Sequence, residues 1–152
     1  VQSALEDVRS VTDPLGLELV LREVHTPDEV RQAIAEIPAD VDAIVVLPDV
    51  TTNEFAVEFA AAAMARGLPF STPSIPETDN VLLSYGVEFY PAGEQVARLA
   101  AQVLRGTSPG DLPVESLDFA LMVNLETAAA LGIEVPTAVL SQAATIIRPA
   151  AQ

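Results

Sequence analysis

Apolar residues recur at intervals of three and four from Val1 to Val11, at Val1, Ala4, Leu5, Val8 and Val11, with acids and Arg9 between them. That spacing predicts an amphipathic helix, which Pro14 and Gly16 should end. The stretch from Leu17 to Val24 begins as an alternation of apolar and polar positions and predicts a strand near a sheet edge, with one side wet. Thr26-Pro27-Asp28-Glu29 carries the signals of a helix start: an N-cap hydroxyl, a proline at the first helical position and a glutamate placed to close a capping box. This helix should turn Val30, Ala33, Ile34 and Ile37 inward and stop at Pro38.

The pattern then changes. Ala43-Ile44-Val45-Val46-Leu47 has no polar alternation and predicts a strand covered on both faces, as in the centre of a parallel sheet. It runs into Pro48-Asp49, after which Thr51 or Thr52 is placed to cap an alanine-rich helix from Asn53 to Arg66, closed by Gly67. Leu68 to Thr72 predicts a short strand, followed by a polar, proline-containing loop from Pro73 to Asn80. Val81 to Gly86 predicts another strand. A long helix should begin near Pro91, carry Val96, Leu99, Ala100, Val103 and Leu104 on one face, and end at Gly106. Thr107-Ser108-Pro109-Gly110 is a turn cluster. Phe119 to Val123 completes a set of five predicted strands, Asn124 caps a short helix that Gly132 closes, and Pro136-Thr137 opens a last helix carrying Val139, Leu140 and Ala143.

Strands alternating with helices in this way imply an α/β fold: three layers, α-β-α, around a doubly wound, mainly parallel sheet of about five strands. Residues 1–147 read as one unit and 148–152 as a frayed tail. The turns after Leu47, Ser71 and Tyr85 should then share the carboxyl edge of the sheet, where open α/β sheets keep their binding sites.

Composition narrows the chemistry. The formal net charge of -15 opposes a phosphate backbone or an anionic membrane surface, so nucleic acid is not an expected partner. There is no cysteine, and all seven basic residues are arginine, which removes thiol and lysine chemistry alike. The apolar stretches fall well short of the roughly 20 residues that cross a bilayer, and the first residues lack the basic start and apolar middle of a signal peptide. A soluble chain is therefore expected. Val in place of Met at position 1 fits a piece cut from a longer polypeptide.

Enzyme signatures are missing: no GxGxxG, no phosphate-loop glycine-lysine pattern and no GxSxG. His25, the single histidine, precedes a helix and suits a capping or solvated role. Without cysteine or a second histidine, a transition-metal site would need clustered carboxylates, and none has that spacing. Asp49 at the end of a central strand suggests a phospho-receiver, but that chemistry wants an acidic pair and a lysine that this chain lacks. What remains on the expected rim is Asp49, Thr51, Thr52, Asn53, Ser71, Thr72, Ser74, Glu77, Ser84, Tyr85 and Tyr90. Hydroxyls and helix amides suit a carboxylate, an acid suits an ammonium, and a tyrosine covers an apolar body. These are the means to bind an amino-acid-like solute; taken singly, each threonine is equally well a cap and each tyrosine core.

The ordered series DAIVVLPDVTTNE, GLPFSTPS, LLSYGVEFYPAGEQVARLAAQVLRGTSPGDLPVES and FALMVNLETAAALGIEVP resembles the tryptophan- and tyrosine-type substrate-binding proteins of ABC transporters. The resemblance covers nearly the whole chain and is most specific from Leu104 to Glu115 and from Val123 to Gly132. It implies one lobe of a type I periplasmic-binding fold, the second of two, with the first lobe missing and the ligand held in the cleft between them. It places Asp49, Thr51 and Thr52 on the first cleft loop, Ser71 and Ser74 on the second, and Tyr85 with Gly86 on the third. The chain departs from the family at Thr72-Pro73-Ser74, where many members carry an acid, and at Glu126, where lysine is usual. An importer with an ABC permease as partner, an extracytoplasmic location, and binding without catalysis, cofactor or metal follow as expectations. The alternative is a ligand-sensing domain of the same fold on a signalling protein. An exposed cleft face on an isolated lobe would also favour a homodimer.

Overall fold

Thr26 starts a helix as its sequence predicts, accepting a hydrogen bond at Oγ1 from the Glu29 amide at 3.3 Å. The Glu29 carboxylate reaches back one residue further than a standard capping box and accepts from the His25 amide at 2.7 Å. The computed structural model describes residues 2–73 and 79–149. In order they form α1 (Gln2–Leu15), α2 (Pro27–Ala35), β1 (Ile44–Val45), α3 (Val50–Asn53) and α4 (Ala56–Ala65). Then come β2 (Phe70–Thr72), β3 (Leu83–Val87), α5 (Phe89–Leu104) and a 3-10 turn at Pro109–Asp111. β4 (Phe119–Asn124), α6 (Leu125–Leu131), α7 (Thr137–Leu140) and β5 (Thr145–Ile147) complete the order.

The described strands form one five-stranded sheet in the order β1-β2-β3-β4-β5. β1, β2 and β3 run parallel, β4 is antiparallel to β3, and β5 is parallel to β4. The sheet is thus mainly parallel, as the alternation of elements predicts. Residues opposite one another in a ladder share a face. Ile44 pairs with Phe70, Thr72 with Ser84, and Ser84 with Met122, which defines one face. Val30 of α2 and Phe59, Ala60 and Ala63 of α4 pack against that face with Phe55, Val46, Phe70, Val81 and Met122 to form the core. The rings of Phe59 and Phe70 stack at 5.9 Å, and the Arg31 guanidinium sits 5.0 Å over the Phe55 ring, tying α2 to the start of α4.

Several expectations are corrected. Leu17 to Val24 is not a strand: no ladder reaches it, because β1 pairs only with β2. The run from Ala43 to Leu47 narrows to Ile44–Val45, and it is an outer strand, not a covered one, with Val45 63% exposed. The alanine-rich helix is two helices, α3 and α4, and its cap is Asp49, not a threonine. The long helix begins at Phe89, ahead of Pro91. β5 occupies the place after α7 where only helix was expected, and the Ala144 amide leads into it by bonding to the Leu121 carbonyl at 2.9 Å. Gly132 closes α6 with φ 69°, a left-handed turn that glycine adopts without Cβ strain. Of the expected loose tail, Arg148 and Pro149 are exposed, and the remainder lies outside the described residues.

Candidate functional site

Because β1, β2 and β3 are parallel, their carboxyl ends lie along one edge of the sheet, as predicted. Three segments meet that rim. The first is the turn after β1, where Asp49 is the N-cap of α3: its Oδ1 accepts from the Thr51 amide at 2.9 Å and the Thr52 amide at 3.4 Å. The Thr52 hydroxyl donates back to the Asp49 carbonyl at 3.3 Å. Asp49 and Thr52 therefore stiffen their own turn, while the Thr51 hydroxyl and Asp49 Oδ2 make no hydrogen bond among the described residues. Asp49 is exposed and both threonines are half-buried.

The second segment is β2. Ser71 pairs with Val45 on one side and Leu83 on the other, so these three residues form a row on the face turned away from the Phe70 and Met122 side chains. Ser71 is half-buried. Ser74 lies outside the described residues, as do Ile75 to Thr78.

The third segment is the end of β3. Tyr85 lies on the same face as Ser71 and Leu83, two residues nearer the rim, and is 62% exposed. Gly86 beside it is buried. Antiparallel pairing sets Tyr85 opposite Leu121 and Val87 opposite Phe119, which makes Tyr85 and Phe119 diagonal neighbours on one face. Their rings stack at 5.6 Å and 27°, and Phe119 is itself 61% exposed. Phe119 was not among the sequence candidates. A parallel β4 would have put it at the far edge, and only the strand direction reveals it.

The opposite face of the same two strands carries two buried hydroxyls. Thr72 and Ser84 are ladder partners, are buried, and have no hydrogen-bond partner for Oγ1 or Oγ among the described residues. They belong to the core beneath the rim and do not open onto it.

Two concave features lie at the ends of the sheet, and neither includes the candidate residues of the rim. A depression of about 260 Å³ lined by Met64, Asp79, Asn80, Asn124 and Thr127 lies at the other edge, where β4 ends and β3 begins. A smaller one, about 170 Å³, lies between the start of α5 and the start of β4, lined by Val87, Glu88, Pro91, Gln95 and Leu117. Next to it, Gln95 and Arg98 on α5 both donate to Glu115, Gln95 at 2.8 Å. These hydrogen bonds, from Arg98 first and then Gln95, hold the Glu115 carboxyl below its ordinary range, and Glu115 raises Arg98 in turn. Among the described residues no group of three His, Asp or Glu side chains is placed to hold a metal ion. No described helix is long and apolar enough to cross a membrane.

Comparison with known proteins gives the rim its context. Residues 1–147 match the model of the family described as ABC transporter substrate binding protein. A tyrosine-binding protein of Clostridioides difficile (strain R20291) is 27% identical over 119 residues, 77% of this chain and 34% of that protein. The solved structure of a conserved domain protein from Vibrio cholerae superposes with a TM-score of 0.75 at 27% identity, over 95% of this chain and 49% of that one. An ABC domain in complex with L-Trp from Streptococcus pneumonia superposes with a TM-score of 0.79 at 23% identity, over 96% of this chain and 50% of that one. The chain thus spans about a third of the curated relative and half of the solved structures. With a family match across nearly its whole length and the expected parallel rim in place, this chain belongs to the ABC transporter substrate-binding proteins.

Proposed function

We propose that residues 1–147 are one lobe of a solute-binding protein that captures an amino acid or similar small solute and passes it to an ABC permease outside the cytoplasm. The observation that carries this reading is the open rim at the ends of β1, β2 and β3, in a chain whose family is one of substrate-binding proteins. The polar turn at Asp49 to Thr52 faces a solute with an acceptor at Asp49 Oδ2 and a hydroxyl at Thr51. Ser71 and Ser74 add hydroxyls, and Tyr85 beside Gly86 offers a ring to an apolar body. Phe119 backs that ring and widens the aromatic surface. An exposed pair of stacked rings favours a flat, aromatic side chain on the solute, and the tyrosine-binding relative supports that choice.

The lobe works by reversible capture and closure against a first lobe, and no bond of the solute is broken. Half a cleft leaves the solute exposed on its other side, so the isolated lobe binds weakly. A thermal-shift screen of the standard amino acids on the two-lobed protein tests the reading. An aromatic amino acid should raise the melting temperature with a concentration dependence set by its Kd. Absence of any shift across the set, at millimolar concentration, would overturn it.

A further inference from the structure

The depression of about 260 Å³ at the far edge of the sheet is built from three separate pieces of chain. Met64 comes from the end of α4, Asp79 and Asn80 from the turn ahead of β3, and Asn124, Glu126 and Thr127 from the passage of β4 into α6. Asn80 holds a left-handed backbone, φ 69°, which asparagine tolerates better than most residues and which turns the chain here. The strand ends that form the Asp49 and Tyr85 rim lie at the opposite edge, so the depression is no part of that site.

Its buried side chains carry polar groups that the fold leaves over. Asn124 and Thr127 are each only 3% exposed. Asn124 Oδ1 accepts from the Glu126 amide at 2.9 Å and the Thr127 amide at 3.0 Å, and these two bonds complete the N-cap of α6. A cap needs only that oxygen, which aspartate or serine supplies as well. Asparagine brings an amino group besides, whose two N–H donors meet no acceptor among the described residues. The Thr127 hydroxyl likewise makes no hydrogen bond among the described residues. Neither group is sealed in the core as the Thr72 and Ser84 hydroxyls are, and both residues line the depression. Buried donors left unpaired are costly, so whatever occupies the depression has to supply them with an acceptor.

The surface around these groups is acidic. Asp79 and Glu126 line the depression and are exposed, and Glu126 has no ion-pair partner among the described residues. No arginine lines it, and the chain has no lysine. We propose that this depression is a second binding site, for a small organic cation that also carries an oxygen. The ammonium group is drawn to the Asp79 and Glu126 carboxylates, and a hydroxyl or carbonyl oxygen accepts from Asn124 Nδ2 beside the Thr127 hydroxyl. Met64 gives the carbon link between them a soft apolar wall. A metal ion does not fit, because among the described residues no three His, Asp or Glu side chains are placed to hold one. An anion is opposed by both carboxylates and by the net charge of -15.

Ethanolamine, an ammonium joined to a hydroxyl by a short carbon link, is the probe. It is titrated into the full-length protein at neutral pH and constant ionic strength, and followed by NMR through the Asn124 side-chain NH2 signals and the Glu126 and Thr127 amides. Saturable shifts at these signals are expected, with a dissociation constant of about 1 mM, in keeping with so small a ligand. Ethylamine, which lacks the hydroxyl, should bind about tenfold more weakly. Glu126→Lys, at an exposed position that leaves the cap oxygen in place, should abolish the saturation. Thr127→Val keeps the shape and removes the hydroxyl, and should weaken ethanolamine by about tenfold. Tyr85→Ala should change none of these values, which separates this site from the rim. Equal shifts with tetramethylammonium, which has the charge but no N–H, would reduce the effect to screening and overturn the proposal. So would the absence of any saturable shift, the depression then holding water only, or saturation that Glu126→Lys leaves unchanged.

Discussion

The Oδ1 atom of Asp49 accepts hydrogen bonds from the Thr51 and Thr52 amides, which leaves Oδ2 as the part of the carboxylate able to receive an ammonium group. Two consequences separate by experiment. Asp49→Ala removes an N-cap and should cost about 1 kcal/mol of stability in urea denaturation, whereas Asp49→Asn, which keeps the cap oxygen, should cost far less. If both variants unfold like the parent chain, the cap contributes nothing to the turn. Ser84 behaves oppositely. Its buried hydroxyl has no described partner, so Ser84→Ala should leave stability unchanged or raise it by up to about 1 kcal/mol. A loss of that size would show that the hydroxyl is bonded in solution.

At the scale of elements, α5 is joined to the segment before β4 through Glu115, which accepts from Gln95 and Arg98 one helical turn apart. The Glu115 carboxyl is held below its ordinary value of 4.5 by these donors. A carboxyl depressed in the folded state contributes stability above its unfolded value and loses that contribution as pH falls through the folded one. Melting temperature should therefore fall on acidification below the ordinary glutamate range, and Glu115→Gln should flatten that part of the profile. A profile unchanged by the substitution would show that Arg98 and Gln95 do not hold α5 there. How far elements were legible in the sequence follows from where their cause lies. Thr26, Asn124 and Gly132 act within a turn of their own residue, so the starts of α2 and α6 and the end of α6 were readable. The direction of β4 depends on where a chain returns after α5, and no local signal carries it; Phe119 was missed for that reason. Leu17 to Val24 has the pattern of a strand but no neighbour to pair with, while Thr145 to Ile147 lacks a strong pattern yet pairs with β4. Pattern reports which face can be buried; pairing needs a partner.

For the whole molecule, the sequence pattern put three strand ends on one rim, and the parallel ladders do so. What sequence could not supply was which rim side chains are engaged locally, such as Asp49 and Thr52, and which stand open, such as Tyr85. In the proposed reading, a solute on this rim meets a hydrogen-bonding turn at one end and the Tyr85 and Phe119 rings at the other. The strong negative charge makes binding of a further anion at the surface unfavourable, so in the proposed reading a carboxylate would depend on open hydroxyls of the rim such as that of Thr51. The most direct measurement is calorimetry of the two-lobed protein with tyrosine and tryptophan, run on the parent and on Thr51→Ala and Tyr85→Ala. The account predicts saturable binding of at least one of the two, weakened in each variant by about 1–3 kcal/mol. Tight binding that both variants leave unchanged would contradict the placement of the solute at this rim.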